Sequence, residues 1–173
     1  MKLKNKLTTI ALASTLGLAG AANADLILTG VFDADLSGGL PKGIELFATA
    51  DIADLSVFGV GSANNGGGTD GEEFTFTNIS LSAGDFVYVA SESTGFTSWF
   101  GFAPDFTSGA MGINGDDAIE LFKDGSVIDT FGNISSTTGF DYQDGWAYRA
   151  SNTGPDGATY VASNWSLAGG DFD

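Results

Sequence analysis

The sequence predicts an all-β domain built as a sandwich or a barrel. After residue 25, no segment shows the sustained 3.6-residue spacing of apolar side chains that an amphipathic helix requires. Short apolar and aromatic runs instead alternate with clusters of glycine, asparagine, aspartate and serine, and the chain contains 26 glycines. Several short strands separated by turn residues are typical of these two architectures.

The first strands follow from apolar runs that lie between clusters of turn residues. Residues 26–32 and 44–48 are two such runs, and the polar, glycine-containing residues 33–42 between them predict a loop. Residues 55–60 predict a third strand. Residues 62–71, which are rich in asparagine and glycine, predict a flexible loop after it.

The later strands are shorter and more strongly patterned. Residues 73–78 alternate phenylalanine with polar neighbours, which predicts a half-buried strand, and residues 86–90 have an apolar Val-Tyr-Val centre typical of a buried one. Residues 91–114 predict a long irregular segment. Near the end, residues 146–149 and 160–162 predict two short strands.

Residues 115–132 predict a β-hairpin. Two β-prone runs flank Asp124-Gly125, the dipeptide that a two-residue type I′ turn favours because both central residues take positive φ. In that register Glu120 faces Asp129. Like charges directly opposite each other destabilise a strand pair, so a cation, a basic side chain, a raised carboxyl pKa or a shifted register must relieve the repulsion. A shifted register or simple solvation is the plainer explanation.

Residues 1–24 predict a secretory signal peptide of bacterial type. Three lysines stand within the first six residues, a moderately apolar stretch follows, and Ala22-Asn23-Ala24 matches the cleavage motif. The apolar stretch is too short and too rich in hydroxyl groups to span a bilayer, which takes about 20 apolar residues. We therefore expect one domain at residues 25–173, secreted or periplasmic, with no membrane span and, because the sequence has no cysteine, no lipid anchor.

The charge balance is strongly acidic. The full chain has a formal net charge of −16, and all 22 acidic residues follow residue 24, where the only basic residues are Lys42, Lys123 and Arg149. Such a surface repels phosphate backbones, so we expect no direct binding of nucleic acid. The same charge keeps an exported protein soluble.

The chain contains no histidine and no cysteine. Disulfides therefore cannot stabilise the exported domain, and histidine cannot serve as a general base, activate a nucleophile or bind a metal. The remaining routes to chemistry are carboxylate pairs, as in glycosidases, and Ca²⁺ or Mg²⁺ held by carboxylates.

Several segments, in order along the chain, carry a resemblance to a known family: residues 26–31, 43–47, 53–60, 81–89 and 115–132, followed by 146–149 and Trp165. They resemble the lamin tail domain, which is found in nuclear lamins and, in divergent form, on secreted bacterial proteins. The resemblance covers nearly all of residues 25–173. It implies an immunoglobulin-like antiparallel β-sandwich.

The resemblance also implies a function. It suggests an interaction or scaffolding module without catalysis of its own, whose partner is another protein or a cell-surface component. Residues 36–46 are similar to the N-terminal parts of secreted bacterial nucleases and phosphatases. An alternative is therefore an accessory or targeting domain of such an enzyme, since residue 173 stands where a catalytic domain would otherwise begin.

Acidic turns provide candidate sites for a hard cation such as Ca²⁺, which prefers oxygen ligands. The best of these is the Asp116-Asp117 pair, which adjoins the predicted apposition of Glu120 and Asp129. None of the acidic turns has the spacing of an EF-hand loop, and ordinary turns use the same residue types, so turn chemistry is the simpler reading. Two further acidic turns offer similar ligands: Asp33 with Asp35, and Asp141 with Asp144.

Two other groups of residues suggest function. An aromatic stretch could form an exposed platform for carbohydrate or a partner, although we expect mainly core packing. With the acidic turns, it raises a third alternative, a Ca²⁺-dependent surface or carbohydrate binder. Glu45, Glu120 and Asp129 could supply a glycosidase pair, but a chain this short implies no deep cleft, so we do not expect an enzyme. The aromatic stretch contains Phe96, Trp99, Phe100, Phe102 and Phe106.

Overall fold

A computed structural model describes residues 24–169, which form ten strands and one α-helix, α1 (Thr94–Phe100). Except for Ala24, the predicted signal peptide lies outside the described residues. In chain order the strands are β1 (Leu26–Leu36), β2 (Leu40–Ala48), β3 (Phe58–Ala63), β4 (Phe74–Thr75), β5 (Phe86–Ala90), β6 (Phe106–Thr107), β7 (Ala118–Lys123), β8 (Ser126–Phe131), β9 (Gly145–Arg149) and β10 (Trp165–Ala168).

The strands form two sheets. The large sheet has six strands in the order β10-β9-β1-β2-β5-β6, and the small sheet has four in the order β4-β3-β7-β8. All neighbours are antiparallel except β5 and β6, which pair in parallel. The sheets pack face to face, which confirms the prediction of an all-β, immunoglobulin-like sandwich.

The core lies between the sheets and follows from period-2 alternation. On β2, Ile44 and Leu46 are fully buried, whereas Glu45 and Phe47 between and after them lie on the opposite, outer face. The small sheet contributes Val60 and Leu121 to the same apolar cluster. The outer face of the large sheet is therefore a separate surface, with its own side chains.

The hairpin is present, but its register differs from the predicted one. Asp124 and Gly125 take φ values of 50° and 72°, as a type I′ turn requires. Past the turn, however, the pairing shifts by one residue at a β-bulge, so that Asp129 lies opposite Leu121 and Glu120 lies opposite Thr130. Glu120 and Asp129 are therefore not apposed: of the explanations considered for that pairing, the structure shows the shifted register, because the bulge inserts an extra residue between the two pairings.

Several local predictions also differ from the structure. Residues 33–42 are not a loop: β1 and β2 extend into them and leave only a tight turn at residues 37–39. The polar residues that predicted a loop lie within the strands instead; Asp33, for example, is buried in β1. The irregular residues 91–114 contain α1 and β6. The predicted strand at 160–162 is absent, and Ala162–Asn164 form a 3₁₀ turn instead.

A buried ion pair joins the two sheets. The Asp129 carboxylate on β8 accepts two hydrogen bonds from the Arg149 guanidinium on β9, at 2.7 and 2.8 Å, and one from the Leu28 N–H on β1 at 2.9 Å. Arg149 Nε donates to the Leu28 carbonyl at 2.6 Å, and the guanidinium stacks 4.5 Å from the centre of the Trp165 ring. Burial raises the pKa of Asp129, while Arg149 and two backbone N–H groups oppose that rise.

We expect Asp129→Asn to lower the free energy of unfolding by about 2 kcal/mol or more, because it removes the closer carboxylate from buried Arg149 and leaves only Asp156, 3.1 Å from Nη1, to compensate that charge. Asp25→Asn is the matched control, since Asp25 pairs with Lys123 at 2.8 Å in a setting about one-third exposed. That change is expected to cost less than about 1 kcal/mol. Urea denaturation at pH 7 measures both. Equal losses in the two variants would contradict a stabilising role for the buried pair.

Candidate functional site

One row of residues crosses the outer face of the large sheet. Tyr148 on β9 pairs with Gly30 on β1, Gly30 pairs with Glu45 on β2, and Glu45 pairs with Tyr88 on β5. All four line one groove of about 330 Å³. Because Gly30 has no side chain, the floor of this groove stays open between Glu45 and Tyr148.

Aromatic rings form most of the groove wall. Trp99 is 39% exposed and Tyr148 is 53% exposed, so part of each ring faces solvent. Contiguous exposed aromatic surface of this kind is uncommon on a protein that has no partner. We refer to this site as the aromatic groove, lined by Phe32, Tyr88, Trp99, Phe100, Trp146 and Tyr148 together with Thr29, Gly30 and Glu45.

Helix α1 holds one side of the aromatic groove in place. The Glu92 carboxylate accepts hydrogen bonds from the N–H groups of Gly95 and Phe96, at 2.8 and 3.2 Å, and so satisfies donors at the start of the helix. Phe96 is fully buried on the outer face of the sheet, with its ring centre 5.9 Å from that of Phe32. Gly101, with φ of 80°, ends the helix. The position of α1 against the sheet places Trp99 and Phe100 at the groove.

Glu45 is the charged group on the floor of the aromatic groove. Its Oε1 accepts a hydrogen bond from Thr29 Oγ1 at 2.7 Å, and its Oε2 accepts one from Tyr88 Oη at 2.9 Å. The second bond also affects Tyr88. Burial raises the pKa of the Tyr88 phenol well above its usual range, and the Glu45 carboxylate raises it further. The Tyr88 proton therefore stays directed at Glu45.

A second depression of about 500 Å³ adjoins the aromatic groove and shares Thr29 with it. Phe47 and Phe86 line it, with ring centres 5.0 Å apart, and the loop that follows β9 forms its far side. Phe86 is exposed. The outer face of the large sheet is thus apolar and aromatic over more than the groove alone.

The structure does not bring the four proposed metal ligands, Asp116, Asp117, Glu120 and Asp129, together. Asp129 is engaged by Arg149, and Asp117 accepts hydrogen bonds from the N–H groups of Asn65 and Asn114, at 2.7 and 2.8 Å, so that it holds two loops. Across residues 24–169, no three acidic side chains are grouped as a metal site requires. The bulge and these backbone contacts account for where the structure places the four residues.

The other acidic turns have a basic partner or lie apart. Lys42 Nζ forms an ion pair with Asp33 and also donates to the Ile113 carbonyl at 2.7 Å. Burial raises the pKa of Asp33, and Lys42 opposes that rise. Asp33 and Lys42 line a polar depression, and Asp141 and Asp144 line it as well, whereas Asp35 is exposed. Lys42 therefore supplies the positive charge beside Asp33, which was one of the candidate ligands for a cation.

The residues of the considered glycosidase pair are also apart. Glu45 lies in the aromatic groove on the large sheet, whereas Glu120 and Asp129 belong to neighbouring strands of the small sheet. Asp129 is opposite Leu121, the residue next to Glu120, so the two carboxylates lie on opposite faces of that sheet. Glu120 is buried, and its Oε2 has no hydrogen-bond partner. The structure therefore offers no facing pair made from these three carboxylates.

The aromatic stretch at residues 96–106 is divided between two roles. Phe96 is fully buried and Phe106 packs against the core, as core packing predicts. Trp99 and Phe102 are instead exposed. Sequence reasoning missed the contributions of Trp146 and Tyr148 to the same surface. Their signal was an aromatic at every second position of a short strand, which places both rings on one face.

Comparison with protein-family models, with curated proteins and with solved structures gives no significant match to this chain. Within the part of the chain that the structure describes, no helix is long and apolar enough to cross a membrane, and α1 has only seven residues.

We expect the free energy of unfolding to fall less steeply at alkaline pH in Tyr88→Phe than in the wild type. The folded chain keeps the Tyr88 proton at a pH where an unfolded tyrosine, with a pKa of about 10, releases it. The free energy of unfolding therefore falls as the pH rises above about 10, and the variant lacks this contribution. At pH 8 the variant should be less stable by about 1 kcal/mol through the lost hydrogen bond.

Urea denaturation at pH 8 and pH 11 checks this expectation. Tyr148→Phe, which removes a hydroxyl from an exposed ring on the same face, is the control. The stability gap between the wild type and Tyr88→Phe should narrow at the higher pH. A gap that is constant with pH would show that Tyr88 does not hold its proton in the folded state.

Proposed function

We propose that this chain is an exported, non-catalytic binding module of the lamin-tail type, and that the aromatic groove is its ligand-binding surface. The observation that carries the proposal is the groove itself, in which exposed tryptophan and tyrosine rings stand beside a carboxylate. Exposed aromatic residues around a few polar groups are typical of binding sites.

The lamin-tail assignment rests on sequence and architecture together. The segments that resemble the family fall on β1, β2, β3, β5, β7, β8 and β9, so the resemblance extends over both sheets. An immunoglobulin-like sandwich is the fold that the resemblance implies. The export part of the proposal rests on residues 1–24, through their positive start, their apolar stretch and their cleavage motif.

The non-catalytic part rests on residue chemistry. The chain has no histidine to act as a general base near neutral pH. Asp117 and Asp129 are engaged by backbone N–H groups or by Arg149, which suits structural roles. Glu45 is hydrogen-bonded by two hydroxyl groups and adjoins aromatic rings, an arrangement better suited to holding a ligand than to moving a proton.

A binding experiment on bacterial cell envelopes tests this proposal. The purified domain is titrated against an isolated envelope fraction, and the bound fraction is compared with that of Tyr148→Ala. Truncating an aromatic residue at the centre of a binding surface weakens binding by about tenfold or more. Ile79→Ala, at an exposed apolar side chain that does not line the groove, should bind like the wild type.

Two results would overturn the proposal. Equal binding by the wild type and Tyr148→Ala would remove the aromatic groove as the binding surface. Robust turnover of DNA or phosphomonoesters by the purified domain would show that the module is catalytic.

A further inference from the structure

We infer that the aromatic groove binds an organic cation, a substituted ammonium group seated over Glu45 between aromatic rings. This inference rests on the proposed function, because it names the chemical class of ligand for the same groove. Three observations carry it: the acceptors on the floor, the aromatic wall with the gap at Gly30, and the charge around the groove.

The floor offers acceptors and a negative charge. Thr29 and Tyr88 each donate their hydroxyl proton to a different oxygen of Glu45. An ionised carboxylate has about four acceptor positions, so about two remain for a ligand. Because both hydroxyl protons are already committed, Thr29 and Tyr88 present only oxygen lone pairs. A ligand that meets this floor must supply donors or positive charge.

The wall suits a cation that also has apolar surface. Aromatic faces attract ammonium groups, and the attraction increases as the site is desolvated. Tyr148 lies two strands from Glu45, which is roughly 10 Å at the usual strand spacing. Gly30 lies between them, and a Cβ there would come within 3.2 Å of the Glu45 Cβ. The φ of Gly30 lies outside the left-handed region, so the backbone conformation at this position of β1 does not require glycine. What glycine contributes here is the absence of a side chain, which keeps the gap open.

The surrounding charge excludes anions. No lysine or arginine lines the aromatic groove, and the basic residues of the described chain, Lys42, Lys123 and Arg149, each form an ion pair with an aspartate. The full chain has a net charge of −16. A neutral sugar would donate hydrogen bonds to the Glu45 carboxylate but leave its charge uncompensated as the groove is desolvated, whereas an ammonium group compensates that charge.

Titration calorimetry on the purified domain tests the inference with matched small probes. Choline carries the trimethylammonium group, and 3,3-dimethyl-1-butanol has the same shape without the charge. We expect saturable choline binding that is about tenfold or more tighter than binding of the neutral alcohol. Added sodium chloride should weaken choline binding, because salt screens the attraction to Glu45.

A second pair of probes distinguishes a primary ammonium group from a quaternary one. n-Butylammonium represents a primary amine, as on a lysine side chain, and choline represents a quaternary amine. Tighter binding of one identifies which ammonium group the groove prefers. Either result supports the inference, provided that the neutral alcohol binds at least about tenfold more weakly.

Variants connect the binding to the groove. Glu45→Gln keeps the shape and removes the charge, and Tyr148→Ala removes an exposed ring; each should weaken choline binding by about tenfold. Asp70→Asn removes one charge from an exposed loop away from the groove and should have little effect. Tyr148→Phe keeps the ring and should bind like the wild type. Thermal melting of each variant confirms that it is folded.

Four outcomes would overturn the inference. These are equal binding of both ammonium probes and the neutral alcohol, no binding of either choline or n-butylammonium up to tens of millimolar, equal losses in Glu45→Gln and Asp70→Asn, or binding of a neutral oligosaccharide such as cellohexaose in place of both cations. None of these removes the proposed function, which depends on the separate loss of envelope binding in Tyr148→Ala. The inference can therefore fail while the proposed function stands, and the two failures are distinguishable.

Discussion

The buried ion pair between Arg149 and Asp129 is the interaction on which the arrangement of the two sheets depends. The ladder between β1 and β9 ends at Gly30, and beyond it the backbone of Leu28 has no strand partner on that side. Arg149 donates to the Leu28 carbonyl and Asp129 accepts from its N–H, so side chains replace the missing ladder. Since Asp129 belongs to the small sheet, this substitution also ties that sheet to the large one. Removing Arg149 would leave the Asp129 and Asp156 carboxylates buried without a compensating charge, whereas removing Asp129 would leave Arg149 with Asp156 alone.

The same stretch of β1 shapes the opposite face of the large sheet. A bulge between Leu28 and Gly30 places Thr29 and Gly30 together against Glu45. Thr29 then donates to the Glu45 carboxylate, and Gly30 leaves the floor of the aromatic groove open. One irregularity in a strand therefore serves the ion pair on the inner side and the groove on the outer side. A second bulge, in the hairpin, directs Asp129 to this position instead of leaving it opposite Glu120.

The sequence predicted correctly those features that are decided by residues close together in the chain, and failed at those decided by distant contacts. The type I′ turn at Asp124-Gly125 and the strand at Phe86–Ala90 were predicted correctly because turn chemistry and alternation act within a few residues. A shifted register in the hairpin was considered, but the bulge beside Leu121 was not located, because a contact between Asp129 and distant groups decides its position. The arrangement of the acidic residues proposed as metal ligands was not predictable for the same reason. Asp117 and Asp129 satisfy backbone N–H groups that lie 52 and 101 positions away in the chain.

By itself, the sequence determined the class of fold, the predicted export signal, the acidic surface and the outward parity of Glu45 and Tyr148, since these follow from composition and from the two-residue period of a strand. Only the tertiary structure decided that these side chains are neighbours. Their strands meet because β1 lies between β9 and β2, and α1 closes the wall from a segment predicted to be irregular. Which strands pair over long separations depends on the burial and hydrogen bonding of the whole sandwich, and no local pattern encodes it.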